Sequence, residues 1–248
     1  MVHELVLLTA AAFGAGVMNA VAGGGSFLTF PALVFTGVPS IIANASSTVA
    51  LFPASFASAW AYRSDFKSLE GVPFRGMLAV SLAGGLTGAL LLLFTPQKTF
   101  DIVIPWLLAA ATLVFAFGPR LAPRLRQWYR IGPRTVLAGQ FLVSIYGGYF
   151  GGAVGILLLA LYSLFGMAEI RTMNAVKTLL TGFMNAIAVV CFVIAGKVWW
   201  MQTLVMLVGA VIGGYVGARC ARKMNPMLVR GIIIGISIVM TIVFFRRV

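Results

Sequence analysis

The chain has 248 residues, of which 61% are hydrophobic and only 9% charged, and its mean hydropathy is +1.04. No soluble fold of this size hides that much apolar surface, so composition excludes a water-soluble enzyme and places the chain among membrane proteins. A formal net charge of +13 would suggest nucleic acid for a soluble protein, but the basic residues stand in short stretches between apolar runs, the pattern of topology determinants.

Apolar runs cover residues 5–22, 40–61, 73–94, 102–118, 135–146, 156–165, 170–195, 198–218 and 228–245. Several reach the roughly 20 residues that cross the hydrocarbon, which predicts an all-α polytopic protein. None alternates with period two, so a β-barrel is excluded. The first run ends in Ala20-Val21-Ala22, like a signal cleavage site, but His3 and Glu4 precede it without Lys or Arg. It is therefore read as a membrane segment. In AGGGSFLTFPALVF (22–35), Gly23, Gly24 and Gly25 end that segment and a short helix begins at Ser26. The next run opens near Asn44 in NASST, with Ser46, Ser47 and Thr48; AGGLTGA follows at 83–89. The stretch 119–134 holds five Arg and reads as a basic cytoplasmic linker anchored at the inner leaflet. Beyond it, GGYFGGAVGILLLALYSLFG (147–166) repeats the broken pattern at Gly151 and Gly152, NAVKT supplies Asn174, Lys177 and Thr178, and IGGYVGA stands at 212–218.

One offset organises these motifs into two related halves, 1–118 and 135–248. Gly84, Gly85 and Gly88 fall on Gly213, Gly214 and Gly217, each 129 residues later, and Gly23 falls on Gly152. After a one-residue slip, Asn44 falls on Asn174 and Ser47 on Lys177. If each broken segment (5–36 and 135–166) is a re-entrant hairpin, each half retains three full crossings and the halves are inverted. The cytoplasmic loops then hold Arg63, Lys67, Arg75, Arg120, Arg124, Arg126, Arg130, Arg134, Arg171, Arg219, Arg222, Lys223 and Arg230, against Lys98, Lys197, Arg246 and Arg247 outside. That 13 to 4 split is better than the 11 to 6 obtained if each segment crosses once and the halves are parallel. Both termini are then expected outside, with Trp199 and Trp200 in the outer aromatic belt and Trp128 and Tyr129 in the inner one.

A short helix that starts inside the membrane offers its free N–H groups and positive dipole end in a medium of low dielectric, an anion site. Two such tips, entering from opposite faces, are expected to meet near the midplane. The candidate substrate-binding residues are Gly23, Gly24, Gly25, Ser26, Asn44, Ser47, Thr48, Gly151, Gly152, Asn174, Lys177 and Thr178. The plainer reading of paired glycines is close helix packing, and it is preferred for Gly84, Gly85, Gly88, Gly213, Gly214 and Gly217. Lys177 is the one basic residue that falls in no loop, and an intramembrane cation is a functional candidate. It also has a second reading, in which its stem snorkels to the inner interface from roughly two turns, about 10 Å, into its helix. Asn44 and Asn174 could equally serve as helix–helix glue.

Glu4, Asp65, Glu70, Asp101 and Glu169 all fall at segment ends or in loops, so no carboxylate is expected as a deep proton or sodium site. Anion export driven by the membrane potential, about 2.3 kcal/mol per charge per 100 mV, needs no coupled ion. Cys191 and Cys220 lie in separate runs with only His3 as a histidine. They are read as packing residues, and no metal site or cofactor is expected.

The segments GGGSFLTFPALVFTGVPSIIANASST and GGYFGGAVGILLLALYSLFGMAEIRTMNAVKTLL resemble the TauE/SafE sulfite exporter family, also called the 4-toluene sulfonate uptake permease family. The resemblance covers nearly the whole chain. It implies transport of a small sulfur-containing anion, such as sulfite, a sulfonate or sulfoacetate, across the bacterial cytoplasmic membrane. Members are assigned to export or to uptake. The halves are unequal at the site, because Pro31 falls on Ala160 and Ser47 on Lys177, and the second glycine run is interrupted. The resulting expectation is a multi-pass exporter in the inner membrane, whose partners are the sulfur anion and the lipid bilayer, with homo-oligomerisation left open. The rivals are an anion channel of the same architecture, an uptake permease, an assembly factor, and an intramembrane enzyme, for which no embedded His, Asp or Glu is found.

Overall fold

The computed structural model describes residues 2–21, 23–69, 71–128, 131–167, 169–220 and 226–246. These form α1 (Val2–Val21), α2 (Ser26–Phe35), α3 (Ser40–Ala61), a 3₁₀ turn (Arg63–Asp65), α4 (Phe74–Phe94), α5 (Gln97–Trp128), α6 (Pro133–Tyr149), α7 (Val154–Phe165), α8 (Ile170–Ile194), α9 (Trp200–Cys220) and α10 (Pro226–Phe245). No strand occurs among the described residues. Proline sets several starts: Pro39 and Pro73 immediately precede α3 and α4, and Pro133 opens α6. A fixed φ and a missing N–H cost nothing at those positions.

Six helices among the described residues are long and apolar enough to cross a bilayer: α1, α3, α4, the 97–118 part of α5, α8 and α9. Their outer faces carry large exposed apolar side chains, among them Leu91, Ile102, Trp106, Val208 and Ile212. Such a surface is stable against lipid and not against water. The protein is thus a polytopic all-α membrane protein. In contrast α2 and α7 have 10 and 12 residues, about half the length a crossing requires. Each folds back along the helix before it, with Leu28 against Gly14 and Leu161 against Gly139.

The two halves interlock. α1 packs on α9, α6 on α4, and α3 on α8. The glycine pairs lie at these crossings. A Cβ on Gly84 would stand 2.6 Å from the Phe141 carbonyl oxygen, and one on Gly217 would stand 2.6 Å from Val17 Cα. Gly85 faces the Met184 carbonyl and Gly214 the Ala54 carbonyl, where an added Cβ would stand only 2.6 and 2.7 Å from the oxygen. Along α9, Gly209, Gly213 and Gly217 meet Thr9, Phe13 and Val17 in turn, so α1 and α9 run in the same direction. Along α4, Gly84 and Gly88 meet Phe141 and Ile145, so α4 and α6 do too.

One expectation requires correction, and one stretch takes a definite form. Residues 119–128 of the expected linker continue α5 as helix, and α6 opens at Pro133 inside the same stretch. Leu, Ala and Arg are good helix formers, so a basic segment leaving the membrane need not unwind. Cys191 is half-buried, but Cys220 is exposed at the end of α9 and packs no core. Glu70, Tyr129, Arg130, Arg222, Lys223 and Arg247, which bear on the expected topology, lie outside the described residues.

Candidate functional site

Between α1 and α2 the chain reverses through Gly23 and Gly24 at φ +88° and +93°, a region that favours glycine. Gly25, the residue before α2, packs against Asn19 Cβ at 3.3 Å from its own missing Cβ. Between α6 and α7 the left-handed residues are Gly151 and Ala153, whereas Gly152 lies under the Phe150 ring. The helices open at Ser26 and Val154. The two breaks touch: a Cβ on Gly23 would stand 2.8 Å from Gly155 Cα. The positive dipole ends of two helices therefore converge here, although the Phe27, Leu28, Ile156 and Leu157 amides are already taken by the Gly24, Gly25 and Ala153 carbonyls of the breaks.

Lys177 enters this junction from α8. Its side chain is 1% exposed, and Lys177 is the only charged residue buried among the described residues. Its Nζ donates to the Asn19 carbonyl at 3.2 Å, near the last turn of α1, and its Cδ lies against Gly155. The stem therefore does not snorkel to an interface.

Two small polar hollows flank Gly155. One is lined by Lys177, Thr178, Thr181, Asn19, Ser55 and Ser58. The other is lined by Ser26, Thr48, Gly151, Thr181, Asn185 and Asn19, with the apolar Leu51 and Met184. Each has about 10 Å³ of space, room for one water and not for an oxyanion of several heavy atoms.

Of the remaining expected residues, Asn44, Ser47, Thr48 and Thr178 have hydrogen-bond partners of their own. Asn44 Nδ2 donates to the Tyr149 carbonyl at 2.9 Å, tying α3 to the end of α6. Ser47 pairs with Thr29 at 2.6 Å. Thr48 and Thr178 donate equivalently to the carbonyls of Asn44 and Asn174, four residues back. Asn174 is buried with Oδ1 unpartnered. The structure adds Asn19, Ser55, Ser58, Gly155, Thr181 and Asn185 to the neighbourhood. Thr181 and Asn185 were detectable, since they follow Lys177 at four-residue spacing on one helix face. Asn19 was not, because only folding brings the end of α1 to α8.

A larger cavity of about 510 Å³ lies away from the breaks, lined by Gly37, Ser40, Gln97, Lys98, Asp101 and Phe244 among others. There Ser40 donates to the Asp101 carboxylate and Gln97 donates to both. Gln97 and Lys98 are exposed, and an ion held there keeps its hydration, so the junction is the better candidate. Phe30 stacks on Phe244, a wall of that cavity, at 5.3 Å and meets Phe150, beside the second break, edge-on at 5.7 Å.

Comparison with known proteins agrees with this architecture. The family model described as Sulfite exporter TauE/SafE matches residues 8–244. The chain is 31% identical over 246 residues to "Probable membrane transporter protein YfcA" of Escherichia coli, covering 97% of this chain and 90% of the relative. It is 30% identical over 244 residues to "Probable membrane transporter protein ORF9" of Sinorhizobium, covering 97% and 92%. A Haemophilus influenzae protein named "Probable membrane transporter protein" is 28% identical over 249 residues, covering 96% and 92%. No solved structure matches. A polytopic helical chain with two touching helix breaks, matched almost end to end by this family model, belongs to the TauE/SafE family of membrane transporters.

Proposed function

We propose that this transporter exports a small sulfur-containing anion, sulfite or an organosulfonate, across the bacterial cytoplasmic membrane, by alternating access of two inverted halves around the helix breaks. The observation that carries the reading is Lys177. It is buried where Gly23 meets Gly155, it bonds a neutral carbonyl, and no acidic residue is buried among the described residues. A basic group without a counter-ion, set beside two helix N-termini, attracts an anion. The family description supplies the sulfur chemistry; the relatives' names say only that they are membrane transporters.

Inversion is supported by helix direction. Lys67, just past α3, pairs at 3.4 Å with Glu169, just before α8, so the end of one helix lies by the start of its counterpart. On this reading 1–118 and 135–248 are the repeats, their join is cytoplasmic, and both termini are outside. The hollows describe an occluded state, which must open before Gly23–Gly25, Ser26, Thr48, Gly151, Gly152, Lys177 and Thr178 can enclose an anion. Asn44 and Ser47 hold the helices around it through Tyr149 and Thr29, and Asn174 lies one turn before Lys177 on α8.

Water-sized hollows favour a carrier over an open channel. The test is counterflow of radiolabelled sulfite into sulfite-loaded liposomes containing the purified protein. Accelerated exchange is expected for the wild type and at least a tenfold reduction for Lys177→Ala. Full affinity in the mutant removes Lys177 from the site, and conductance without counterflow identifies a channel.

A further inference from the structure

The cavity of about 510 Å³ away from the breaks has the size of a ligand pocket, which runs from about 300 to 1,000 Å³. It stands at one end of the bundle, where α2 ends, α3 and α5 begin and α10 ends, and all four helices line it. Val34, Val38, Ile104 and Phe244 give it a buried apolar side. Gly37, left-handed at φ +88°, has nothing within 4 Å of the place a Cβ would take, so the turn between α2 and α3 leaves the space open.

Two opposite charges line this space without meeting each other. Asp101 is held by neutral donors: the buried Ser40 donates to Oδ1, and Gln97 Nε2 donates to the same oxygen at 3.1 Å. A carboxylate accepts about four hydrogen bonds, so this one is fixed in place with capacity left for a further donor. Lys98 stands three residues earlier on the same helix, a spacing at which side chains can pair. It nevertheless has no ion-pair or hydrogen-bond partner among the described residues.

The cavity also borders lipid. α5 enters the membrane at Gln97, which puts Lys98 at headgroup level, where basic side chains meet phosphate. Ile102 on the rim and Trp106 one turn further are both exposed, and Trp106 meets Phe245 edge-on at 5.1 Å. An acyl chain can therefore run along α5 while its headgroup turns into the cavity.

We propose that this cavity holds the headgroup of a zwitterionic phospholipid bearing a primary amine, with its phosphate beside Lys98, its ammonium donating to Asp101 and its acyl chains along Ile102 and Trp106. Asp101 repels a simple anion and Lys98 a simple cation, whereas one headgroup carrying both charges satisfies both. The inference concerns a lipid at the edge of the bundle and does not depend on what the junction transports.

The test is native mass spectrometry of the delipidated full chain in detergent, titrated with dioleoyl phosphatidylethanolamine, phosphatidylcholine or phosphatidylglycerol. The wild type is expected to bind the first about fivefold more tightly than either of the others, the upper range for one partly exposed ion pair. A quaternary ammonium has no N–H to give Asp101, and a glycerol headgroup offers it only neutral hydroxyls. Asp101→Asn, whose amide oxygen still accepts from Ser40, loses the preference for ethanolamine over glycerol. Lys98→Gln, at an exposed and unpaired position, folds normally and weakens all three lipids. Equal affinities in the wild type, or an unchanged preference in Asp101→Asn, overturn the proposal. Soluble phosphoethanolamine that binds as tightly as the lipid also overturns it, by assigning the cavity to a free zwitterion.

Discussion

Lys177 stands where the first half has Ser47, and the exchange sets the chemistry of the junction. Its bond to the Asn19 carbonyl places a basic group near the C-terminal end of α1, where the helix dipole favours it. That contact is worth about 1 kcal/mol, while burying the group without a carboxylate costs several. Replacing it by Met, similar in length and apolar, is therefore expected to leave the melting temperature unchanged or raised and to weaken sulfite binding at least tenfold. Thermal melts with and without sulfite check both halves of this expectation; equal stabilisation of wild type and Lys177→Met by sulfite would exclude a direct role. Lys177 was legible in the sequence as the one basic residue without a loop to occupy. Thr181 and Asn185 were detectable only as followers of Lys177 at four-residue spacing on the same helix face. Their meaning comes from α1 ending beside α8.

Helices in lipid associate through close packing and not through a hydrophobic drive, so the glycine crossings determine how firmly the halves interlock. A Cβ on Gly88 would stand 2.7 Å from the Tyr149 amide and would also strike the Ile145 carbonyl, both fixed backbone. Gly235 on α10 has nothing within 4 Å. Gly88→Ala is accordingly expected to destabilise by about 1–3 kcal/mol through overpacking. Gly235→Ala should be neutral or stabilise by up to about 1 kcal/mol through helix propensity. Melting of the two purified variants side by side tests this, and equal losses would show that α10 is occupied by a neighbour. The repeat offset revealed these glycines before any coordinates, because backbone contact leaves a residue-type mark. The start of α2 at Ser26 was equally plain from the glycine run before it. The start of α7 was less so: its last left-handed residue is Ala153, at φ +58°, and alanine gives no sign of that conformation. The helical 119–128 extension was missed because arginine marks a membrane boundary and a helix former alike.

For the molecule as a whole, the direction of the second half relative to the first sets the symmetry axis about which alternating access at one midplane site would run. Charge asymmetry favoured inversion in the sequence, and the Lys67–Glu169 pair, which sets the end of α3 beside the start of α8, agrees with it. Lys67 and Lys197 occupy corresponding places after α3 and α8, and both are exposed. Inverted halves put them on opposite faces of the membrane, and parallel halves put them on the same face. Single cysteines at these two positions, in a background with Cys191 and Cys220 replaced by Ser, separate the two arrangements. A membrane-impermeant maleimide applied to intact spheroplasts should label Lys197→Cys and spare Lys67→Cys, with the pattern reversed in inside-out vesicles. Loss of the exposed Lys67–Glu169 pair costs no more than about 1 kcal/mol, so the variant remains folded. Labelling of both cysteines from one side would make the halves parallel. The two helix breaks would then enter from the same face, and alternating access would have to come from rocking of parallel halves related by an axis along the membrane normal.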